Sequence, residues 1–220
     1  MFNVRKAFGF FAFAVIVCGL IAATSVTANT VYVSTTGNDA NAGFGPGSPR
    51  LTITEAINDA SAGDTIMVLA GTYNAAINVN KRLVIMGAGS SPAGTIISSS
   101  AGGSGGVIQL SASGIVGNPI LFKDLRVQNT GMAGFSVGTF SGGETGTNLS
   151  YINFDNVYVI GTNLNPNTEQ ERGLYVDLTS SLHWVNITNC AFNNQAYGWY
   201  FHKQVSVDAS TVDNINVIST

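Results

Sequence analysis

Three glycine-led segments carry aromatic and ionisable residues at matching positions: GFSVG from Gly134, GLYVDL from Gly173 and GWYFHK from Gly198. Aligned on that glycine, Phe135, Leu174 and Trp199 share one parity with Val137, Val176 and Phe201. The opposite parity carries Ser136, Tyr175 and Tyr200, then Gly138, Asp177 and His202. The two parities of a strand point to opposite faces, so the first set reads as inward and the second as outward. Stacked tyrosines beside Asp177, His202 and Lys203 would give a sugar ring an apolar platform, hydrogen-bond partners and a cation for a carboxylate. The same rows have an internal reading: stacked tyrosines stabilise neighbouring strands, and Asp177 pairs with His202.

Other segments offer less chemistry. GNDANAG (37–43) has oxygen ligands at alternating positions, as a Ca²⁺ loop has, but lacks the later acidic residues, so turn-forming Asn and Asp explain it better. NPNTEQER (165–172) places Glu169, Glu171 and Arg172 just before GLYVD and reads as a solvated loop or the wall of a cleft. His183 and Trp184 flank an expected strand and read as packing and surface residues. Cys190, in the apolar run NCAF, reads as a small core residue. No cofactor is expected, and Ca²⁺ is the metal the loop would take if it took one.

The elements that must position these residues are short and mostly extended. One segment has a helical period, TITEAINDASAG, with Ile53, Ala56, Ile57 and Ala60 on one stripe. Thr52 and Glu55 have capping-box spacing at its start, and Gly63 offers a stop. Next comes GDTIMVLAG, an expected strand with Ile66, Val68 and Ala70 facing the core and Thr65, Met67 and Leu69 facing away.

Beyond it, KRLVIMG, FKDLRVQN, FDNVYVIG, ITNCAFNN and VDNINVIS align with Arg82, Asp124, Asn156, Asn189 and Asn214 in one column. A second series, GVIQL from Gly106 and then the three glycine-led segments, alternates with the first. Two interleaved repeats that drift together mark a coil whose turns contribute equivalent strands. An antiparallel sandwich would call for hairpin turns, and the chain contains no Asn-Gly or Asp-Gly dipeptide. The expected fold is therefore all-β, a right-handed parallel β-helix with a short N-terminal capping helix that closes the open end of the coil. Recurrent asparagines would bond to their neighbours one coil above and below.

Arg5 and Lys6 precede an apolar run from Ala7 to Ala23, and Val26 to Ala28 offers a small-residue cleavage site, so 1–28 reads as a secretory signal peptide. An uncleaved anchor is the alternative, and a lipoprotein anchor at Cys18 fits worse. Cleavage leaves 192 of the 220 residues, expected as one β-helix domain spanning 29–220, with Cys190 as its single cysteine. An intrachain disulfide is thereby excluded. Removing Arg5 and Lys6 from the nine Lys and Arg leaves seven against twelve Asp and Glu, a formal charge of −5 without blocks. That balance argues against nucleic acid and, once the signal is cleaved, against a membrane.

Val31 to Gly89 combines a strand, the GlyAsnAsp loop, a Pro before a helix carrying EAI, then GDTI, AGTY, an INV strand and LVIMGAG. This combination resembles the opening of secreted bacterial β-helix proteins of the pectate-lyase-like superfamily, including the chondroitinase B and alginate lyase group. The resemblance covers about the first third of the mature chain and implies architecture more than chemistry. In such enzymes the active site lies on the outward face of stacked strands. The AspAsp, GlyHisGly and ArgIleLys motifs of pectin hydrolases are absent here, as are the adjacent outward Lys and Arg expected of a lyase centre. The expected function is a secreted or cell-surface protein that binds or processes an extracellular polysaccharide. The alternative is a non-catalytic, adhesin-like scaffold. The chain stops at VDNINVIST, inside an expected strand, so further coils or another chain are expected over the open end.

Overall fold

The computed structural model describes residues 27–99, 105–129, 131, 133–137, 147–161, 172–177, 180–193, 197–201 and 212–218, with side chains through Asn193. The expected signal peptide up to residue 26, Gly138, the 165–171 loop, His202 and Lys203 lie outside the described residues. In chain order the elements are β1 (Thr30–Val33), α1 (Ile53–Asp59), β2 (Thr65–Val68), β3 (Gly71–Asn74), β4 (Ile77–Val79) and β5 (Val84–Met86). There follow β6 (Thr95–Ser99), β7 (Gly106–Leu110), β8 (Ile120–Asn129), β9 (Ala133–Val137) and β10 (Asn148–Gly161). The last are β11 (Arg172–Val176), β12 (Ser181–Thr188), β13 (Ala191–Asn193), β14 (Tyr197–Phe201) and β15 (Val212–Ile218).

Each strand pairs in parallel with its counterparts one coil away. One sheet runs β1-β2-β5-β8-β10-β12-β15, with β3, β6 and β13 attached to it, and the second runs β4-β7-β9-β11-β14. This is a parallel β-helix, and crossovers between parallel strands give it a right-handed sense. The larger sheet bends within β8 and β10 at Asp124 (φ 54) and Asn156 (φ 53), and Asn189 (φ 55) takes the same conformation between β12 and β13. These three left-handed residues turn the chain sharply enough to give the coil three sides.

Alternation within the strands follows from having a core on one side and water on the other. Ile120, Phe122, Leu125 and Val127 of β8 are buried, as are Ile152, Phe154, Val157 and Val159 of β10. Phe122 and Phe154 stack at 5.5 Å between ring centroids, and Phe135 from the opposite sheet meets them edge-on at 5.1 and 4.9 Å. The inward reading of Phe135, Val137, Leu174 and Val176 therefore holds.

The capping helix is shorter than its sequence pattern. It ends at Asp59, and Thr52 caps its start, with Oγ1 accepting from the Glu55 amide at 3.3 Å. Its apolar stripe, Ile53, Ala56, Ile57 and Ala60, is buried over the end of the coil, where it contacts β1, β2 and β4. Its C-terminal carbonyls are satisfied from outside the helix: Lys81 Nζ donates to Ile57 O, Asn58 O and Ala60 O at 2.8 to 2.9 Å. A cation at that end also meets the negative pole of the helix.

Three register details correct the sequence reading. Ala70 is exposed instead of buried, because β2 ends at Val68 and the chain turns before Gly71. Gly71, at φ +146, leaves no room for a Cβ, which would lie 2.7 Å from Thr35 Cγ2. In the asparagine column Asp124, Asn156 and Asn189 stack as expected, but Arg82 and Asn214 do not belong to it. Met86 pairs with Lys123, so Gly87 faces Asp124, and Asn214 lies between residues paired with His183 and Val185. The third detail is a one-residue slip: Gly106 pairs with Ala133, which sets Ile108 and Leu110 on the core row of Phe135 and Val137. Burial selects this register, since the alternative would put Gln109 on the core row.

Candidate functional site

The expected platform on the smaller sheet forms in register, and at Ser136, Tyr175 and Asp177 it is closed to solvent. Ser136, Tyr175 and Tyr200 are direct neighbours across β9, β11 and β14, as are Phe135, Leu174 and Trp199. Tyr175 and Asp177, however, are each only 2% exposed, and Ser136 is fully buried. Arg172, also buried, places its guanidinium 4.9 Å from the centre of the Tyr175 ring. Of the proposed group, the structure thus brings Tyr175 and Tyr200 together in backbone register and encloses the Tyr175 and Asp177 side chains. His202 and Lys203 lie outside the described residues.

The GlyAsnAsp loop is a capping device. Asp39 Oδ1 accepts the Leu51 and Thr52 amides at 2.9 Å, and its Oδ2 accepts the Thr52 hydroxyl at 3.0 Å. Asn38 Oδ1 accepts the Ala40 amide, and Asn41 donates to Pro49 O. Asp39's carboxylate thus serves the start of α1 and Asn38's amide oxygen the turn beside it, roles in keeping with turn-forming Asn and Asp. Cys190 packs against the core, its thiol donates to Thr188 O at 3.2 Å, and burial pushes its pKa up, away from a reactive thiolate.

An open, polar and charged face lies instead along the bend of the larger sheet. On the near side of the bend, Lys123 of β8 pairs with Asp155 of β10, and its ammonium is 3.9 Å from Asp124. All three side chains are about a third exposed. The hydrogen bond from Lys123 holds the Asp155 carboxyl below the usual range, and the same bond raises the lysine. At the bend itself, Asn156 Nδ2 donates to Asp124 Oδ1 at 2.7 Å and its Oδ1 accepts from the Ser90 hydroxyl at 2.9 Å. On the far side, the Arg126 guanidinium lies 4.4 Å from the centre of the Tyr158 ring, and Asn193 donates to the Tyr158 hydroxyl at 2.6 Å. Parallel pairing places Arg126, Tyr158 and Ala191 on one outward row.

Sequence reasoning missed this cluster because it treated the asparagine column as purely structural. The available signal was LysAsp at 123–124 opposite AspAsn at 155–156. Each pair ends on the residue that turns left-handed, so Lys123 and Asp124, like Asp155 and Asn156, both face outward before Leu125 and Val157 return to the core.

Residues 35–142 match the model of DUF1565, a protein family described as of unknown function, over just under half of the chain. No curated protein matches the chain. Among solved structures, a rhamnogalacturonan lyase aligns at 14% identity with a TM-score of 0.42, covering 86% of this chain and 65% of its own. This chain therefore spans just under two thirds of that lyase. A pectin methylesterase variant in complex with a hexasaccharide aligns at 10% identity with a TM-score of 0.31, covering 88% of this chain and 94% of its own. The parallel register of both sheets, the helix that closes the coil and the left-handed bends together make the chain a right-handed parallel β-helix.

Proposed function

We propose that the protein is exported and binds an extracellular polysaccharide along the outward bend of its larger sheet. The observation that carries this reading is the outward group of Lys123, Asp124 and Arg126 beside Asp155, Asn156 and Tyr158. There a guanidinium stacked on Tyr158 and a Lys123–Asp155 pair lie side by side across β8 and β10, with the hydrogen-bonding Asn156 between them. Such a surface offers a sugar chain stacking, hydrogen-bonding and charged contacts within one stretch, and Arg126 and Lys123 favour a chain that bears carboxylates. Export is supported by the signal-like residues 1–28.

Binding is favoured over cleavage by the state of the charged pair. An ionised Asp155 locked to a protonated Lys123 is neither the protonated acid that glycoside hydrolysis needs nor the free base that elimination needs. The scaffold reading draws on the bonds the ladder residues make with one another, such as Asn153 with Asn186 and Asn148 with Ser181.

The test is retention on a glycan array and titration with polygalacturonate, with an absorbance assay for unsaturated uronates run alongside. Wild type should bind without forming product, and Arg126→Ala should weaken binding about tenfold, or ~1.4 kcal/mol. No retention on any glycan, or an unchanged Arg126→Ala, would remove this reading in favour of the scaffold.

A further inference from the structure

The backbone takes a left-handed conformation a second time on two successive coils, at Tyr151 (φ 56) and Trp184 (φ 49). At the bend described above, the same demand is met by Asp124, Asn156 and Asn189, residue types that tolerate it. Bulky aromatics are genuine outliers there, and such strain concentrates where a side chain is needed for something other than the fold. In backbone register the column continues to Asn214, whose flanking residues pair with His183 and Val185, so the ordinary choice is present in the same chain.

Burial does not explain the aromatics. Trp184 is 46% exposed, among the few large hydrophobic side chains at the surface. Its indole lies parallel to the Tyr151 ring, 4.9 Å between centroids and 4° between planes, and His183 sits beside it at 5.8 Å. Two residues further along the same strands, Asn186 Nδ2 donates to Asn153 Oδ1 at 3.0 Å, with Asn186 exposed. On its other side Asn153 faces Leu121, so among the described residues its amide nitrogen keeps hydrogen-bonding capacity toward the outside, where Asn186 also lies.

From this we infer that Trp184, backed by Tyr151 and flanked by Asn153, Asn186 and His183, forms a sugar-stacking subsite. It takes the apolar C–H face of a pyranose ring, with the amides bonding the ring's hydroxyls. The inference rests on the polysaccharide-binding reading but uses a different, uncharged part of the surface. It therefore recognises neutral and acidic sugar units alike.

The decisive variant is Trp184→Asn, which puts a left-handed-tolerant residue where the fold asks for one. Binding of galactotetraose, cellotetraose and tetragalacturonate is measured per folded molecule, with folding followed by circular dichroism. The expected result is a loss of at least about tenfold for whichever of these sugars the wild type binds, equal at low and high salt, with Tm unchanged or raised. Trp184→Tyr, which keeps a stacking face, should stay within about threefold of wild type. In contrast, Arg126→Ala should affect only tetragalacturonate and in a salt-dependent way. Unchanged affinity in Trp184→Asn, while Arg126→Ala still weakens tetragalacturonate, overturns this inference and leaves the broader reading standing. A lowered Tm with unchanged affinity identifies the aromatic pair as a structural stack and overturns it too. Failure of the wild type to bind any of the three sugars or any arrayed glycan overturns both.

Discussion

Asn156 tests the architecture at a single residue, because three separable effects meet there. Its amide donates to the Asp124 carboxylate at 2.7 Å, its carbonyl oxygen accepts from Ser90 Oγ at 2.9 Å, and its backbone holds φ 53. A hydrogen bond to a charged group contributes ~1.5 to 3 kcal/mol, and partial exposure favours the low end; the Ser90 bond adds ~0.5 to 1. Alanine in the left-handed region costs about 1 kcal/mol more, since it has a Cβ and no polar group to stabilise the turn. Asn156→Ala should therefore destabilise by about 3 kcal/mol. Asn156→Gly loses the same hydrogen bonds but relaxes the backbone, for a net loss of about 1 to 1.5 kcal/mol. For a domain of this size, Tm moves about 2 to 4 °C per kcal/mol, so the two variants should differ by about 4 to 8 °C in a calorimetric scan. Equal losses for Ala and Gly would show that the residue does not turn the chain left-handed, and the three-sided coil would have to be abandoned.

Lys81→Met removes three donors from the end of α1 while keeping the stem, and should lower Tm by about 3 to 8 °C, roughly 1.5 to 2 kcal/mol, with the helix cap loosening first in hydrogen exchange. No change in protection over 53–60 would mean that the helix end is satisfied without Lys81. The Lys123–Asp155 pair has a pH signature. Asp155 is held below its ordinary range, so its contribution is present above that range and fades as pH falls through the lowered folded pKa; Lys123 is held above its own, so its contribution fades only as pH rises through the raised value. The Tm gap between wild type and Asp155→Asn should be flat between about pH 6 and 9 and shrink below about pH 4. A gap that widens in acid contradicts the pairing.

Alternation and repeat were readable because they are local. Thr52 and Glu55 with the stripe from Ile53 to Ala60 marked the helix, and the glycine-led segments marked successive turns of the smaller sheet. The alignment of Gly134, Gly173 and Gly198 matched the register of β9, β11 and β14. The slip at Gly106 and the misplaced Arg82 and Asn214 share one cause. Each lies where loop length between coils changes, and similar short motifs then align equally well in adjacent registers until a core decides between them. The candidate surface was harder still. Tyr175 and Asp177 have the parity of outward residues, and parity says nothing about what covers that side of the sheet. Trp184 looked like a flanking residue because no sequence pattern reports a positive φ at an aromatic.

By itself, the sequence determined that the chain would form short strands around a shared apolar interior, closed at one end by a capped helix. Those choices depend on neighbours within a few residues, where side-chain periodicity and turn chemistry act. Only the tertiary structure decided which outward residues meet water, which left-handed positions bend the sheet, and that Lys81 reaches back to close α1. Each of those depends on what stands one coil away, about 4.8 Å along the axis but some thirty residues along the chain, and stacking of whole coils is what brings those groups within bonding distance.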